Sequence, residues 1–457
     1  MEKEKNNRSS FSGKIGFVLS AAGASVGLGN IWRFPYLAAK YGGGIFLLIY
    51  ILLALTFGYT MIVAESALGR MTRKSPVGAF KAFGKKAGWL SFGGWINAII
   101  PVLIVPYYSV IGGWVIKYFV EYLKGNGAKL AEDGYFSKFI SNGLSTEICF
   151  IVFCMFTLII IYAGVRNGIE RVSKFMMPIL VVLSVIIAIY SVTRPGALAG
   201  VKYFLVPNPK NFSWMTVVTA MGQMFYSLSI AMGILVTFGS YMKKDTSIED
   251  STRNVEVFDT AIAIMAGLMI IPAVFAFSGG DPDTLQAGPS LMFITIPKVF
   301  NSMGFGTFAG ILFFLLVFAA VTSSIALTES AVSTVEDELK WSRKKSTVIV
   351  GFIMIILGTL SCLGYGPLSF VKIIGMQFLD FFDFLTNSVM MPIAALMTSL
   401  FVSKVVGVDR MEEEIRHGES KFRRKKIFVV MIKYLCPIFA IIILVSSVAN
   451  AFGWISM

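Results

Sequence analysis

Long apolar runs recur along the chain, separated by short polar or basic stretches. Each is near or above the ~20 residues a helix needs to cross a bilayer. They predict eleven membrane-spanning helices at residues 15–38, 42–69, 91–123, 144–163, 168–192, 214–241, 256–278, 304–337, 346–365, 373–403 and 427–453. Two of these runs are interrupted. The first contains Gly23-Ala24-Ser25-Val26-Gly27-Leu28-Gly29-Asn30, with Arg33 and Pro35 just beyond. Glycines propagate a helix poorly, and Asn30 and Arg33 are costly in hydrocarbon unless they face a cavity. An unsatisfied backbone group costs several kcal/mol in lipid, so an unwound segment persists only where protein, water or a ligand meets it. A break at membrane depth therefore predicts an ion and substrate site. A flexible, close-packing helix is the plainer alternative.

The sixth span carries a second break, with Gly222, Gln223, Ser227, Ser229 and Gly233 in mid-span. Breaks five helices apart predict inverted repeats, helices 1–5 and 6–10, related by a pseudo-two-fold axis in the membrane plane. The two breaks would then meet antiparallel at the midplane. Half-helix N-termini suit a carboxylate, and unwound carbonyls suit a small hard cation such as Na⁺. Ser227 and Ser229 read equally well as hydroxyls bonded back to their own helix. Further polar positions are Asp259 in helix 7, Thr322-Ser323-Ser324 with Thr328 and Glu329 in helix 8, and Asp380 and Asp383 in helix 10. Intramembrane acids are functional candidates, although Asp259 also fits a structural role.

Composition agrees with a multi-span membrane protein: 56% of the 457 residues are hydrophobic and 14% charged, against about 25% charged in soluble domains. The net charge of +14 would suggest nucleic acid in a soluble chain. Here 28 lysines and arginines fall between alternate spans on the N-terminal side and 9 on the other. That asymmetry predicts a cytoplasmic N-terminus and an outside C-terminus. A cell membrane, bacterial and inner, is the expected location, with the bilayer as partner and no nucleic acid. The Lys421–Lys426 run reads as an inside anchor, with a lipid-binding patch as the alternative. The first span lacks a small-residue cleavage site and is expected to be retained. Residues 195–213 read as a loop, and 279–303 as a lid or re-entrant hairpin. Cys149, Cys154, Cys362 and Cys436 read as buried thiols. A single histidine, His417, leaves no His-based metal or triad chemistry. Glu65 and Asp337 have no nucleophile beside them, so no enzyme is expected.

Several strings resemble the neurotransmitter:sodium symporter family, in its bacterial amino-acid transporter branch. They are Gly27-Leu-Gly-Asn-Ile-Trp-Arg-Phe-Pro-Tyr, Gly42-Gly-Gly, Glu65-Ser-Ala-Leu-Gly-Arg70, Tyr107-Tyr108, Phe225-Tyr-Ser-Leu-Ser, Val321-Thr-Ser-Ser and Glu336-Asp-Glu-Leu339. The resemblance implies an all-α membrane protein of LeuT-like fold and eleven-helix type. It would form one transporter domain over 1–457, with a gate segment (1–14), a first repeat (15–192), a second repeat (214–403) and helix 11 (427–453).

The resemblance also implies roles. A first Na⁺ would be held by Asn30, Ser227, Asp259 and the Ser25 carbonyl, completed by the substrate carboxylate. A second would be held by the carbonyls of Gly23, Val26 and Ala319 and the hydroxyls of Thr322 and Ser323. Tyr108 and the amides near Leu28 and Gly29 would bind the substrate carboxylate. Ile104, Phe225, Ser229, Met232 and Leu327 would line the side-chain pocket, with Tyr226 closing over it. Arg33 and Asp383 would form the outer gate, and Arg8, Phe11, Tyr241 and Asp337 the inner one. Asp259 stands where chloride-dependent relatives carry asparagine, and Ala263 where a chloride-ligand serine is common. Gly27 stands where amine transporters place an aspartate. These features imply a chloride-independent symporter, coupled to two Na⁺, for a neutral hydrophobic amino acid, aliphatic or aromatic. Ala231 replaces a glycine usual in the second break, and Met232 stands where a related type has phenylalanine. A proton-coupled transporter with Asp259 or Glu65 titrating, and a non-transporting sensor, are the alternatives. The family's twelfth helix has no counterpart here, and the oligomeric state stays open.

Overall fold

The computed structural model describes residues 9–279, 291–302, 304, 306–419 and 421–454. Among them, nine continuous helices are long and apolar enough to cross a bilayer. They are Gly44–Thr72 (helix 2), Gly84–Leu123 (helix 3), Gly143–Tyr162 (helix 4), Val165–Val192 (helix 5), Ile248–Ser278 (helix 7), Phe308–Leu339 (helix 8), Arg343–Leu363 (helix 9), Phe378–Val406 (helix 10) and Lys425–Ala451 (helix 11). Helix 1 is two pieces, Lys14–Ser25 and Gly29–Lys40, bent by 54°. Helix 6 is likewise split, into Trp214–Ser227 and Ile234–Ser240. Both interruptions thus fall where glycine and polar residues break the apolar pattern.

Helices 3 and 8 pack together along their length at the centre and are among the most buried spans, whereas helix 11 is the least. Exposed Ile148, Val152, Phe156 and Ile159 repeat at helical spacing on helix 4 and form an apolar stripe suited to lipid. The first piece of helix 1 packs against helices 5, 7 and 8. Cys154, Cys362 and Cys436 are buried and Cys149 half-buried, all as free thiols.

Two expectations change. Helix 7 starts at Ile248, ahead of the expected 256, because the Ser247 hydroxyl accepts the Asp250 N–H at 3.0 Å and Glu249 and Asp250 occupy the first turn. The expected loop at 195–213 contains a helix, Ala197–Leu205, whose Ala197, Gly200 and Phe204 share one buried face. The basic run before helix 11 is tied to acids of this chain. Arg423 meets Asp250 (2.9 Å), Arg424 meets Glu256 (3.3 Å), and Lys425 meets Glu412 (2.5 Å). That engagement favours the anchor over the lipid patch. Of the expected lid, residues 280–290 and 303 lie outside the described residues. Leu291, Met292 and Phe293 are fully buried, and the Phe293 carbonyl accepts the Tyr118 hydroxyl at 2.9 Å.

Candidate functional site

The break in helix 6 follows from its backbone. Ser229, Ala231 and Gly233 have φ of 53°, 60° and 70°, in the left-handed region that a right-handed helix cannot continue through. The freed groups find partners, as membrane depth requires. The Ala231 N–H donates to the Glu65 carboxylate at 2.8 Å, and the Ser229 hydroxyl donates to the Ala24 carbonyl at 3.0 Å. In helix 1, the Leu28 N–H donates to the Tyr108 hydroxyl at 3.3 Å, and the Gly29 carbonyl accepts Gln223 Nε2 at 3.0 Å. Gly27 is required by close approach, because a Cβ there would lie 2.6 Å from Ser323 Oγ and 3.2 Å from the Tyr108 hydroxyl.

Asp259 is fully buried where the breaks meet. Its Oδ1 accepts Asn30 Nδ2 at 2.8 Å and Ser227 Oγ at 2.7 Å, and its Oδ2 accepts the Tyr50 hydroxyl at 2.6 Å. Asn30 also donates to Ser227 Oγ at 2.9 Å. Ser227 therefore bonds across to helix 7 instead of back into its own helix. Tyr50 is absent from the expected set. The only signal in the sequence is a phenol in an apolar span, whose hydroxyl needs a buried partner.

At the second expected cation position, Ser323 Oγ lies 3.3 Å from the Gly23 carbonyl and 3.2 Å from that of Ala24. Thr322 bonds back to the Phe318 and Ala319 carbonyls at 3.0 and 3.2 Å. The helix 1 carbonyls and helix 8 hydroxyls thus come together, with Thr322 paired to its own helix. Among the described residues no three His, Cys, Asp or Glu side chains cluster as metal ligands. The donors gathered here are carbonyl, hydroxyl, amide and carboxylate oxygens, a set suited to hard cations.

Between these positions lies a small space of about 20 Å³, lined by Ala24, Ser25, Gly27, Leu28, Gly29, Asn30, Ile104, Tyr108, Tyr226, Ser229, Met232, Ser323 and Leu327. No lining side chain is charged. Phe225 is not among them; its ring packs on Phe57 with centroids 5.0 Å apart. Neighbouring helical residues point about 100° apart, so Tyr226 faces the cavity and Phe225 turns away.

Beyond Tyr226, a larger cavity of about 330 Å³ is bounded by Arg33, Tyr107, Asp383 and Asn387 among others. Arg33 and Asp383 do not form the expected ion pair. The guanidinium lies 5.3 Å from the Tyr226 ring centroid, and Asp383 accepts Asn387 Nδ2 at 2.6 Å. The face carrying the N-terminus is closed. Phe11 packs edge-on against Phe17, Phe238 and Tyr241. The Tyr241 hydroxyl donates to Glu329 at 2.6 Å, and Glu329 pairs with Arg343 at 2.5 Å. Asp337 accepts the Ser75 N–H at 2.6 Å. Arg8 lies outside the described residues.

The profile of the Sodium:neurotransmitter symporter family matches residues 8–130 and 137–453. An uncharacterized sodium-dependent transporter, YhdH of Bacillus subtilis (strain 168), is 35% identical over 446 residues, covering 96% of this chain and 97% of the relative. An uncharacterized sodium-dependent transporter of Haemophilus influenzae is 31% identical over 463 residues, covering 98% of this chain and 100% of the relative. The crystal structure of MhsT in complex with L-phenylalanine superposes with a TM-score of 0.86 at 34% identity, covering 96% of this chain and 100% of that one. The broken helices, the polar knot between them and these matches lead to one assignment: the chain belongs to the sodium:neurotransmitter symporter family, as a multi-pass membrane transporter of LeuT-like fold and not an enzyme.

Proposed function

We propose that the protein is a Na⁺-coupled, chloride-independent symporter of a neutral hydrophobic amino acid, working by alternating access with its N-terminus cytoplasmic. The carrying observation is the buried Asp259 carboxylate, knotted to Asn30 and Ser227 where the two breaks meet. Asp259 supplies a fixed negative charge where a Na⁺ would sit, so no chloride is needed to balance it. The pairing of the Leu28 N–H with the Tyr108 hydroxyl marks two groups that a substrate carboxylate can accept from. Ile104, Met232 and Leu327, with no charged side chain lining the cavity, suit an apolar substrate side chain. The relative solved with L-phenylalanine supports an amino acid of this kind. The second Na⁺ is assigned to the Gly23, Val26 and Ala319 carbonyls with Thr322 and Ser323. The cavity of about 20 Å³ holds little more than one water. Substrate entry therefore requires Tyr226 and the break residues to move apart, and re-closure seals the outer side.

The test is uptake of radiolabelled amino acids into proteoliposomes under an inward Na⁺ gradient, with gluconate replacing chloride. Na⁺-dependent accumulation without chloride is the expected result. Binding with no accumulation for any amino acid would point to a sensor. One observation favours a second reading, proton coupling: Glu65 is fully buried, and its Oε2 has no hydrogen-bond partner. A buried carboxylate with one oxygen unpartnered is costly, and a proton-coupled cycle would draw on such a group. Uptake driven by a pH gradient with Na⁺ absent would establish that reading instead.

A further inference from the structure

Glu170 ends the π-helical turn Val165–Glu170 that opens helix 5. π-Turns are frequent at functional positions. Its side chain is 2% exposed and reaches across to the start of helix 1. Glu170 Oε2 accepts the Ser12 N–H at 2.8 Å, and Oε1 accepts the Ser12 hydroxyl. Lys174 Nζ lies 2.6 Å from the same Oε1 and 3.2 Å from Ser12 Oγ. On the other side, Lys243 Nζ donates to the Ser12 carbonyl at 3.1 Å, and the Phe11 N–H donates to the Tyr241 carbonyl at 3.2 Å. Residues 11 and 12 are thus fastened to helix 5 and to the end of helix 6 at once.

The first piece of helix 1 has Gly13 at its N-cap, with no side chain to satisfy the first-turn amides. The Glu170 carboxylate, supplied by another helix, brings negative charge to that end, where the helix dipole favours it. Gly16 leaves room for it: a Cβ at residue 16 would lie 2.5 Å from Glu170 Cδ and Oε1.

We propose that Glu170 is a gating residue for transport. Its carboxylate holds the first turn of helix 1 against helix 5, and opening toward the cytoplasm requires this contact to release. The proposal rests on the transport reading above. The contact joins the piece of helix 1 that carries Gly23 to helix 5, so its release is coupled to whatever occupies the seam between helix 1 and helix 8.

The test compares Gly16→Ala, Glu170→Ala and the double variant by two readouts. One is Na⁺-driven uptake in proteoliposomes. The other is hydrogen–deuterium exchange of residues 14–25 in Na⁺ and in K⁺. Each single variant is expected to raise exchange of this segment in Na⁺ severalfold and to lower uptake at least fivefold. The double variant is expected to be no worse than Glu170→Ala, because the group that the new methyl strikes is gone. Ser12→Ala, a milder change near the surface, should shift exchange in the same direction by less. Unchanged exchange in Glu170→Ala, or single effects that multiply in the double variant, would overturn the latch. If wild-type protein takes up no amino acid, the transport reading fails, while the exchange data still decide whether Glu170 fastens helix 1.

Discussion

The two sides of the central cavity are built differently. On one side, Tyr226 borders both it and a space of about 330 Å³, and the charges there, Arg33 and Asp383, are held apart. On the opposite side, the path is filled by Phe11 and Tyr241, 1% and 2% exposed, and crossed by the pair of fully buried Glu329 with part-buried Arg343. The contacts that define this conformation therefore sit on the Phe11 side. The Tyr226 side is left ready to rearrange. An isolated ion pair in a wet vestibule contributes little, whereas removing one partner of a buried pair strands a charge in a dry interior.

That contrast is most exposed to disproof by removing Arg343. Arg343→Ala leaves Glu329, which is fully buried, without its partner cation. The expected loss is about 3–5 kcal/mol, read as a lower unfolding temperature in detergent and at least a tenfold drop in uptake. Arg343→Met paired with Glu329→Gln should recover much of it. The next effect concerns the knot itself. Tyr50→Phe removes one donor to Asp259. A bond to a charged group contributes about 1.5–3 kcal/mol, so the Na⁺ concentration for half-maximal substrate binding should rise about tenfold or more. On the Tyr226 side, Arg33→Gln loses a cation–π contact worth about 0.5–2 kcal/mol. Substrate affinity should then fall severalfold with stability unchanged, and a larger loss than for Arg343→Ala would reverse the comparison. The smallest effect is expected of Ala231→Gly. It relieves a left-handed backbone at φ 60° but loosens the unfolded chain, so stability should move by no more than about 1 kcal/mol.

The spans were legible because a bilayer imposes a length on apolar runs that few other constraints imitate. The breaks were legible because glycine and polar residues together are hard to explain in hydrocarbon unless they serve a site. Asn30, Ser227 and Asp259 come together although 229 positions separate the first from the last. Side-chain direction and partnership between distant helices are not legible in the sequence. Phe225 and Tyr226 are adjacent letters, yet only one faces the cavity. Tyr50 reads like any tyrosine in an apolar span until helix 7 is packed beside it. Arg343 and Glu329 lie on different helices, and Glu170 reads as one more charge at a span's end. The Arg33–Asp383 pair follows from resemblance, yet Arg33 lies over the Tyr226 ring and Asp383 accepts from Asn387.

The central claim is that Asp259 supplies the fixed charge of a Na⁺ site shared with the substrate. It is tested most directly by equilibrium binding of a transported amino acid to purified wild type and Asp259→Asn, titrated with Na⁺ in chloride and in gluconate. Wild type should require Na⁺ and be indifferent to chloride. Asp259→Asn should need at least tenfold more Na⁺, or bind only when chloride is present. Identical Na⁺ and chloride dependence in the two proteins would contradict the claim and remove Asp259 from the site.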